Sequence, residues 1–132
     1  MRFAGYAAVF DAVDRGGDVV RRGAFAKVPT TVPLLWQHGG RAVGEVRVLG
    51  EDARGLRVIG SVAEPRLAAL VARGAVTGLS FGYRARGVRR GPVRELTDIE
   101  LVEVSLVAQP MQRLARVHAV ARASQHPSTS SG

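Results

Sequence analysis

The pattern of apolar and polar positions along the chain predicts a mainly β protein. Runs of apolar, aromatic or β-branched residues at 3–10, 32–36, 75–86, 93–97 and 99–107 are typical of strands, and turn-forming residues separate them. Segment 18–28 predicts one more short strand. The clearest hairpin joins two alternating segments, 42–49 and 56–62, across the loop GEDARG.

One helix interrupts this pattern. Glu64 supplies an acidic start, Pro65 suits a first turn, LAALVAR favours helix, and Gly74 is a C-terminal cap, so a helix is predicted over roughly 65–73. About seven strands with one clear helix indicate a closed or nearly closed, mostly antiparallel barrel. Segment 111–123 is compatible with a strand or a short amphipathic helix. The predicted domain covers 1–122, and the polar residues 123–132 form a predicted disordered tail.

Composition narrows the classes of function. The chain of 132 residues suits one domain, and its lack of cysteine excludes disulfides, a thiolate nucleophile and a thiolate zinc site. No run reaches the roughly 20 apolar residues of a membrane span, and the N-terminus lacks the order of a secretory signal, so a location inside a cell is expected. The net charge of +8 favours anionic partners such as nucleic acid or acidic protein segments.

Two residues are candidates for serine hydrolysis, which needs a hydroxyl, a base, a group that orients the base, and donors for the oxyanion. Of the three histidines, His126 lies in the predicted tail and His118 in the ambiguous last segment, so His38 is the candidate base. It lies where strand 32–36 opens into a turn. Ser80 lies between Gly78 and Gly82, a setting in which another backbone or a ligand can come close.

A third candidate is Glu103, an acid inside an otherwise apolar strand, which must face water or have a partner such as an imidazole. Ser105 is a rival nucleophile, but it lacks the glycine setting, and alternation puts it on the same strand face as Glu103. Each residue also has an ordinary explanation. His38 could be a surface histidine, Ser80 a strand serine beside a glycine, and Glu103 a solvent-facing glutamate.

The order of short motifs resembles the tailed-bacteriophage prohead protease family, whose members cleave capsid and scaffold segments during head maturation. The matching stretches span about 110 residues: GYAAVFD (5–11), GAF (23–25), LLWQH (34–38), VGEV (43–46), RGLRV (54–58), GLSFGY (78–83) and EVSLV (103–107), followed by Pro110 and Ala115. The chain departs from the family after EVSLV, where the family usually reads Pro-Ala-Asn and this chain has Met111-Gln112 after Pro110.

The resemblance implies a barrel similar to that of the herpesvirus assembly proteases, with His38 as base and Ser80 as nucleophile. The acid of the motif EVSLV is Glu103, and Asp98 and Glu100 are nearby alternatives. Neither a cofactor nor a metal is implied. Backbone N–H groups near Gly82, or the arginine Arg84, are candidate oxyanion donors.

The expected substrates are the major capsid protein, scaffold segments and the chain itself, with self-cleavage in the tail after about Ala123. The expected location is the assembling prohead in the cytoplasm of a bacterial host. A homodimer is an open expectation, because relatives of this fold often pair through a helix. A phage, a prophage and a gene transfer agent are all open as the source.

Two other classes of function compete with a protease. A basic cluster on one predicted hairpin could bind nucleic acid or an acidic scaffold segment without catalysis; it consists of Arg84, Arg86, Arg89, Arg90 and Arg94. The cluster lacks the interleaved aromatic residues typical of single-strand binding, and a solvated hairpin tip explains it equally well. The remaining possibility is a barrel that keeps the protease fold with an inactive site.

Overall fold

Eight strands and one helix make up residues 1–121, the part of the chain that the computed structural model describes. In chain order they are β1 (Arg2–Val9), β2 (Asp18–Val20), β3 (Thr31–Trp36), β4 (Gly39–Glu51), β5 (Gly55–Val62), α1 (Pro65–Ala72), β6 (Gly78–Arg90), β7 (Arg94–Val107) and β8 (Val117–Ala121). The mainly β prediction is confirmed. The predicted strands 93–97 and 99–107 are one strand, β7, and the ambiguous last segment ends as strand β8. The predicted tail and His126 lie outside the described residues.

The strands form one mixed sheet in the order β2-β7-β3-β4-β5-β1-β8, with β6 paired to β7. Strand β7 pairs with antiparallel β6 along one edge, and with β2 and β3, both parallel to it, on the other. The prediction of a mostly antiparallel arrangement therefore needs correction to a mixed sheet. Alternation within a strand carries no information about the direction of a partner far away in sequence, which is why the parallel pairs were not predicted.

The prediction of a closed or nearly closed barrel needs correction, because the sheet is not closed: strands β6 and β8 form no ladder. The start of β6 meets the residue before β8 at an isolated bridge between Gly78 and Arg116, beside which Leu79 N–H donates to Ala115 O. The 108–116 segment connects β7 to β8. Beyond the bridge, β8 pairs with β1.

Buried side chains of the strands and of the helix form one hydrophobic core. Helix α1 contributes Leu67 and Val71, which are one turn apart and therefore lie on one helix face. The carboxylate of Glu64 accepts hydrogen bonds from the N–H groups of Arg66 (3.1 Å) and Leu67 (2.7 Å), so the predicted acidic start is an N-cap. Gly74 follows the helix with φ +78°, the left-handed conformation typical of a C-terminal cap.

The contact between β1 and β5 illustrates how closely this core is packed. Phe3 pairs with Gly60, and its ring lies over the glycine. A Cβ atom at Gly60 would lie 2.1 Å from Phe3 Cε2, far inside van der Waals contact. The ring therefore requires glycine on the neighbouring strand.

We predict that Gly60→Ala lowers the free energy of unfolding by about 1–3 kcal/mol, the usual cost of adding a methyl group to a filled core. Urea denaturation measures this loss. Gly91→Ala is the matched control, since the nearest atom to its added Cβ is Val93 O at 3.9 Å. Combining Gly60→Ala with Phe3→Leu should cost less than the sum of the single changes. A Gly60→Ala protein as stable as the wild type would contradict this packing.

Candidate active site

His38 lies in the tight turn that joins β3 to β4. Trp36 pairs with Gly39, so Gln37 and His38 are the two residues of the hairpin loop. Their φ angles are +54° and +61°, both left-handed, as in a type I′ turn. Asn and Gly usually occupy such positions, and a left-handed conformation costs other residues roughly 1–2 kcal/mol each. The turn is therefore strained.

Three hydrogen bonds hold this turn against β7 and the residue after it. Gln37 N–H donates to Leu106 O (2.9 Å), and Ala108 N–H donates to Gln37 Oε1 (2.8 Å). His38 N–H donates to Ser105 Oγ (3.0 Å). Because both turn residues are bonded to the same strand, β7 sets the position from which the imidazole projects.

The imidazole of His38 contacts the carboxylate of Glu103. Nδ1 lies 2.5 Å from Glu103 Oε1, while Glu103 Oε2 accepts a hydrogen bond of 2.7 Å from Ser105 Oγ. Glu103 is 7% exposed, so the expectation that an acid in this apolar strand would need a partner fits the geometry. With Nδ1 bound to the carboxylate, Nε2 is the nitrogen that remains for a reacting group.

The two glycines that flank Ser80 are required by neighbouring atoms. Gly82 pairs with Glu103 across β6 and β7, and a Cβ at Gly82 would lie 2.2 Å from Glu103 Oε1. At Gly78 a Cβ would lie 2.6 Å from Val107 O and 2.9 Å from Pro110 Cδ. Gly82 therefore leaves room for the carboxylate, and Gly78 leaves room for the 108–116 segment.

Ser80 is opposite Ser105 in the β6–β7 ladder and is 8% exposed. It lines a cavity of about 130 Å³ together with His38, and both residues also line an adjoining cavity of about 300 Å³. Gly16 and Met111 line both cavities as well. Ser80 and His38 are thus among the residues that the two cavities share.

The alternative acids lie elsewhere on the β6–β7 hairpin. Asp98 pairs with Gly87, and Glu100 forms ion pairs with Arg86 (3.1 Å) and Arg84 (3.8 Å). None of these side chains lines either cavity. Glu103 is therefore the acid that the fold brings to His38. The oxyanion role of Gly82 and Arg84 stays a prediction; the side chain of Arg84 is 75% exposed.

Sequence reasoning missed two residues that organise this region. Ser105, considered only as a rival nucleophile, contacts both His38 and Glu103, and its shared face with Glu103 was the available signal. Gln112, noted only as a departure from the family pattern, is buried and binds the main chain of Val9 with both amide atoms, at 2.8 and 2.9 Å. This pair of bonds anchors the 108–116 segment to β1 beside the cavity.

Within residues 1–121, no group of three or more His, Cys, Asp or Glu side chains is arranged to hold a metal ion. The same part of the chain contains no helix long and apolar enough to cross a membrane. His118, the other histidine in this range, packs against the ring of Tyr6 with 5.7 Å between centroids.

Comparisons with known proteins agree with the ordered motifs. The sequence profile of the family described as "Caudovirus prohead serine protease" matches residues 1–129. The crystal structure of the protease of the herpesvirus KSHV, in complex with a hexapeptide phosphonate inhibitor, superposes with a TM-score of 0.64 at 15% sequence identity. The match covers 92% of this chain and 65% of that chain, and at this identity it shows the fold. A comparison with curated proteins finds no match. The predicted resemblance to both groups is confirmed.

We predict that Gly82→Ala displaces the Glu103 carboxylate from His38 Nδ1, because the new methyl group would occupy the space of Oε1. The measurement is the downfield Nδ1–H proton resonance of His38 in the NMR spectrum of histidine-labelled protein. This resonance should be present in the wild type and in the Gly91→Ala control, and absent in Gly82→Ala. A folded Gly82→Ala protein that keeps the resonance would contradict the assignment.

Proposed function

Because the chain belongs to the caudovirus prohead serine protease family, we propose that it is a serine endopeptidase of capsid maturation. The observation that carries the proposal is the contact of His38 Nδ1 with Glu103 at 2.5 Å, with His38 and Ser80 lining the same two cavities. A base, its orienting acid and a hydroxyl in one cleft form the set of groups that acyl transfer to serine requires.

The proposed reaction has two steps. Ser80 Oγ attacks the peptide carbonyl while His38 Nε2 takes the hydroxyl proton, and the tetrahedral intermediate then expels the amine as His38 returns that proton. Water, activated by the same nitrogen, hydrolyses the acyl-serine to a carboxylic acid and regenerates Ser80. Throughout, Glu103 orients the imidazole through Nδ1–H and stabilises the imidazolium that forms.

Ser80 is a better nucleophile candidate than Ser105. The hydroxyl of Ser105 has no exposed surface and already donates its proton to Glu103. Attack by Ser105 would break the contact that holds the carboxylate. Ser80 has neither constraint and lies in the cavity wall.

For the oxyanion, the pleat of β6 supports the main-chain N–H of Phe81 as a donor. Leu79 N–H donates to Ala115 O (2.9 Å), so it points away from β7. Successive N–H groups of a strand point to opposite edges, so Phe81 N–H also points away from β7, whereas Gly82 N–H points toward it. In residues 1–121, the edge of β6 beyond the bridge at Gly78 pairs with no strand, which leaves room for a substrate carbonyl.

The family supports the major capsid protein and scaffold segments as substrates, inside a prohead assembling in the bacterial cytoplasm. The two cavities that share Ser80 and His38 would take peptide residues on either side of the cleaved bond. Self-cleavage after about Ala123 falls outside the described residues and stays a prediction. Homodimer formation, contact with nucleic acid, and origin from a phage, a prophage or a gene transfer agent likewise stay predictions.

The competing binding function has weaker support, because part of the basic cluster is paired locally. Arg84 and Arg86 share the one carboxylate of Glu100, and Arg94 lies 3.7 Å from Asp18. Two carboxylates thus lie beside three of the five arginines. Such a hairpin suits a solvated surface at least as well as a nucleic-acid site.

We predict that co-expression with the major capsid protein encoded in the same genome yields a shortened capsid protein, and that Ser80→Ala abolishes the cleavage. Mass spectrometry of the capsid N-terminus measures the product. A peptide phosphonate should label the wild-type protein at Ser80, which peptide mapping identifies. If the wild-type and Ser80→Ala proteins both leave the capsid protein at full length, the protease assignment fails.

A second prediction concerns the acid. Glu103→Gln keeps the size of the side chain but cannot hold the productive imidazole tautomer, so we expect kcat to fall by about 10⁴-fold, the effect typical of this change in a Ser-His-acid triad. Steady-state cleavage of the mapped capsid peptide measures it. Glu100→Gln is the matched control, since Glu100 contacts surface arginines, and should leave kcat unchanged. Equal losses in the two variants would remove Glu103 from the mechanism.

A further inference from the structure

We infer that Ser105 is a positioning residue, whose hydroxyl joins the main chain of His38 to the carboxylate of Glu103 and holds the two in one geometry. This inference rests on the proposed function, in which the same two residues act as base and orienting acid. Ser105 touches neither cavity, so it acts through its neighbours and not on substrate.

Both hydrogen-bonding roles of the Ser105 hydroxyl are used within the site. It donates its proton to Glu103 Oε2 (2.7 Å) and accepts the N–H of His38 (3.0 Å). The residue has no exposed surface, so water does not compete for either bond. One buried atom therefore links the backbone of the base to the side chain of the acid.

The first consequence concerns the strained turn. Both Gln37 and His38 have positive φ. The bond from His38 N–H to Ser105 Oγ is one of the three hydrogen bonds that hold this turn in place. Without the hydroxyl, the N–H of His38 would lose its partner on β7. The left-handed conformation of His38 would then be held by one bond fewer, so the turn would be free to relax and move the imidazole.

The second consequence concerns the carboxylate. The terminal torsion of a glutamate is broad, so a carboxylate bound at one oxygen can still rotate. Glu103 has a partner on each oxygen, His38 on Oε1 and Ser105 on Oε2. The Ser105 hydroxyl thus fixes the rotation that aims Oε1 at Nδ1.

The cross-strand position explains why a small hydroxyl residue suits this site. Ser105 is directly opposite Ser80, and side chains at opposite positions of an antiparallel pair are close neighbours. A long polar side chain at 105 would reach into the space of the nucleophile. Threonine and valine form the useful pair of substitutions, because they have nearly the same shape and differ in the hydroxyl.

The test compares Ser105→Thr, Ser105→Val and Ser105→Ala in the full chain. We expect Val and Ala to lower kcat on the mapped capsid peptide by about 10–100-fold, the range for a small misplacement of catalytic groups, with KM nearly unchanged. Thr should recover most of the wild-type kcat. The Nδ1–H resonance of His38 should be sharp in Thr and broadened or lost in Val and Ala.

Several outcomes would overturn the inference. Equal losses of kcat in Ser105→Thr and Ser105→Val would indicate that only the volume of the side chain matters. A wild-type kcat in Ser105→Ala, or phosphonate attached to Ser105, would also contradict it. Thermal unfolding identifies a variant that fails to fold, and Ala, which removes a single atom, still tests the role of the hydroxyl if Thr is too large. A wild-type protein that cleaves nothing would reject the proposed function alone. The Nδ1–H resonance does not depend on turnover, so it would still test the positioning role of Ser105.

Discussion

Hydrogen bonding between the β3–β4 turn and β7 is the constraint on which the site depends. The parallel ladder pairs Leu35 with Ser105 and Trp36 with Leu106, joining segments about seventy residues apart, and it continues into the turn through Gln37 N–H. Side chains alternate along a strand, so a slip of one residue would turn Glu103 and Ser105 to the other face. The register of this one pair of strands therefore decides whether the acid meets the imidazole of His38.

Strand β6, which pairs with the other edge of β7, carries the candidate nucleophile Ser80. The open side of the sheet provides access to this residue. Pairing with β6 puts Ser80 opposite Ser105, so a single strand relates all the candidate catalytic side chains. The smaller cavity is lined by Ala7 of β1, Leu79 of β6 and Ala115 of the 108–116 segment. It therefore lies beside the place where β6 meets the 108–116 segment, at the bond from Leu79 N–H to Ala115 O. Past this bond, the edge of β6 pairs with no strand within residues 1–121, so the sheet stays open beside the cavity.

The sequence was sufficient to predict most strands and the helix, but not how strands far apart in the chain pair with each other. Alternation and capping residues located the hairpin 42–62 and the helix, because those signals are local. The motifs located His38, Ser80 and Glu103, and burial chemistry indicated that the acid needed a partner. The parallel pairs, the open sheet and the type I′ turn were not predictable in this way. Strand direction leaves no mark on alternation, and Gln-His is not a turn sequence that propensity would select.

Several features that local rules disfavour lie together in this one network. Two left-handed residues that are not glycine, a buried carboxylate and two glycines inside a strand would each weaken an ordinary sheet. Here each has a specific partner: the turn bonds to β7, Glu103 lies between His38 and Ser105, and Gly82 makes room for Glu103. Removing one feature leaves another without its compensation. Stability alone would favour replacing the whole set with apolar residues, so its presence as a unit is best explained by the chemistry of the cleft.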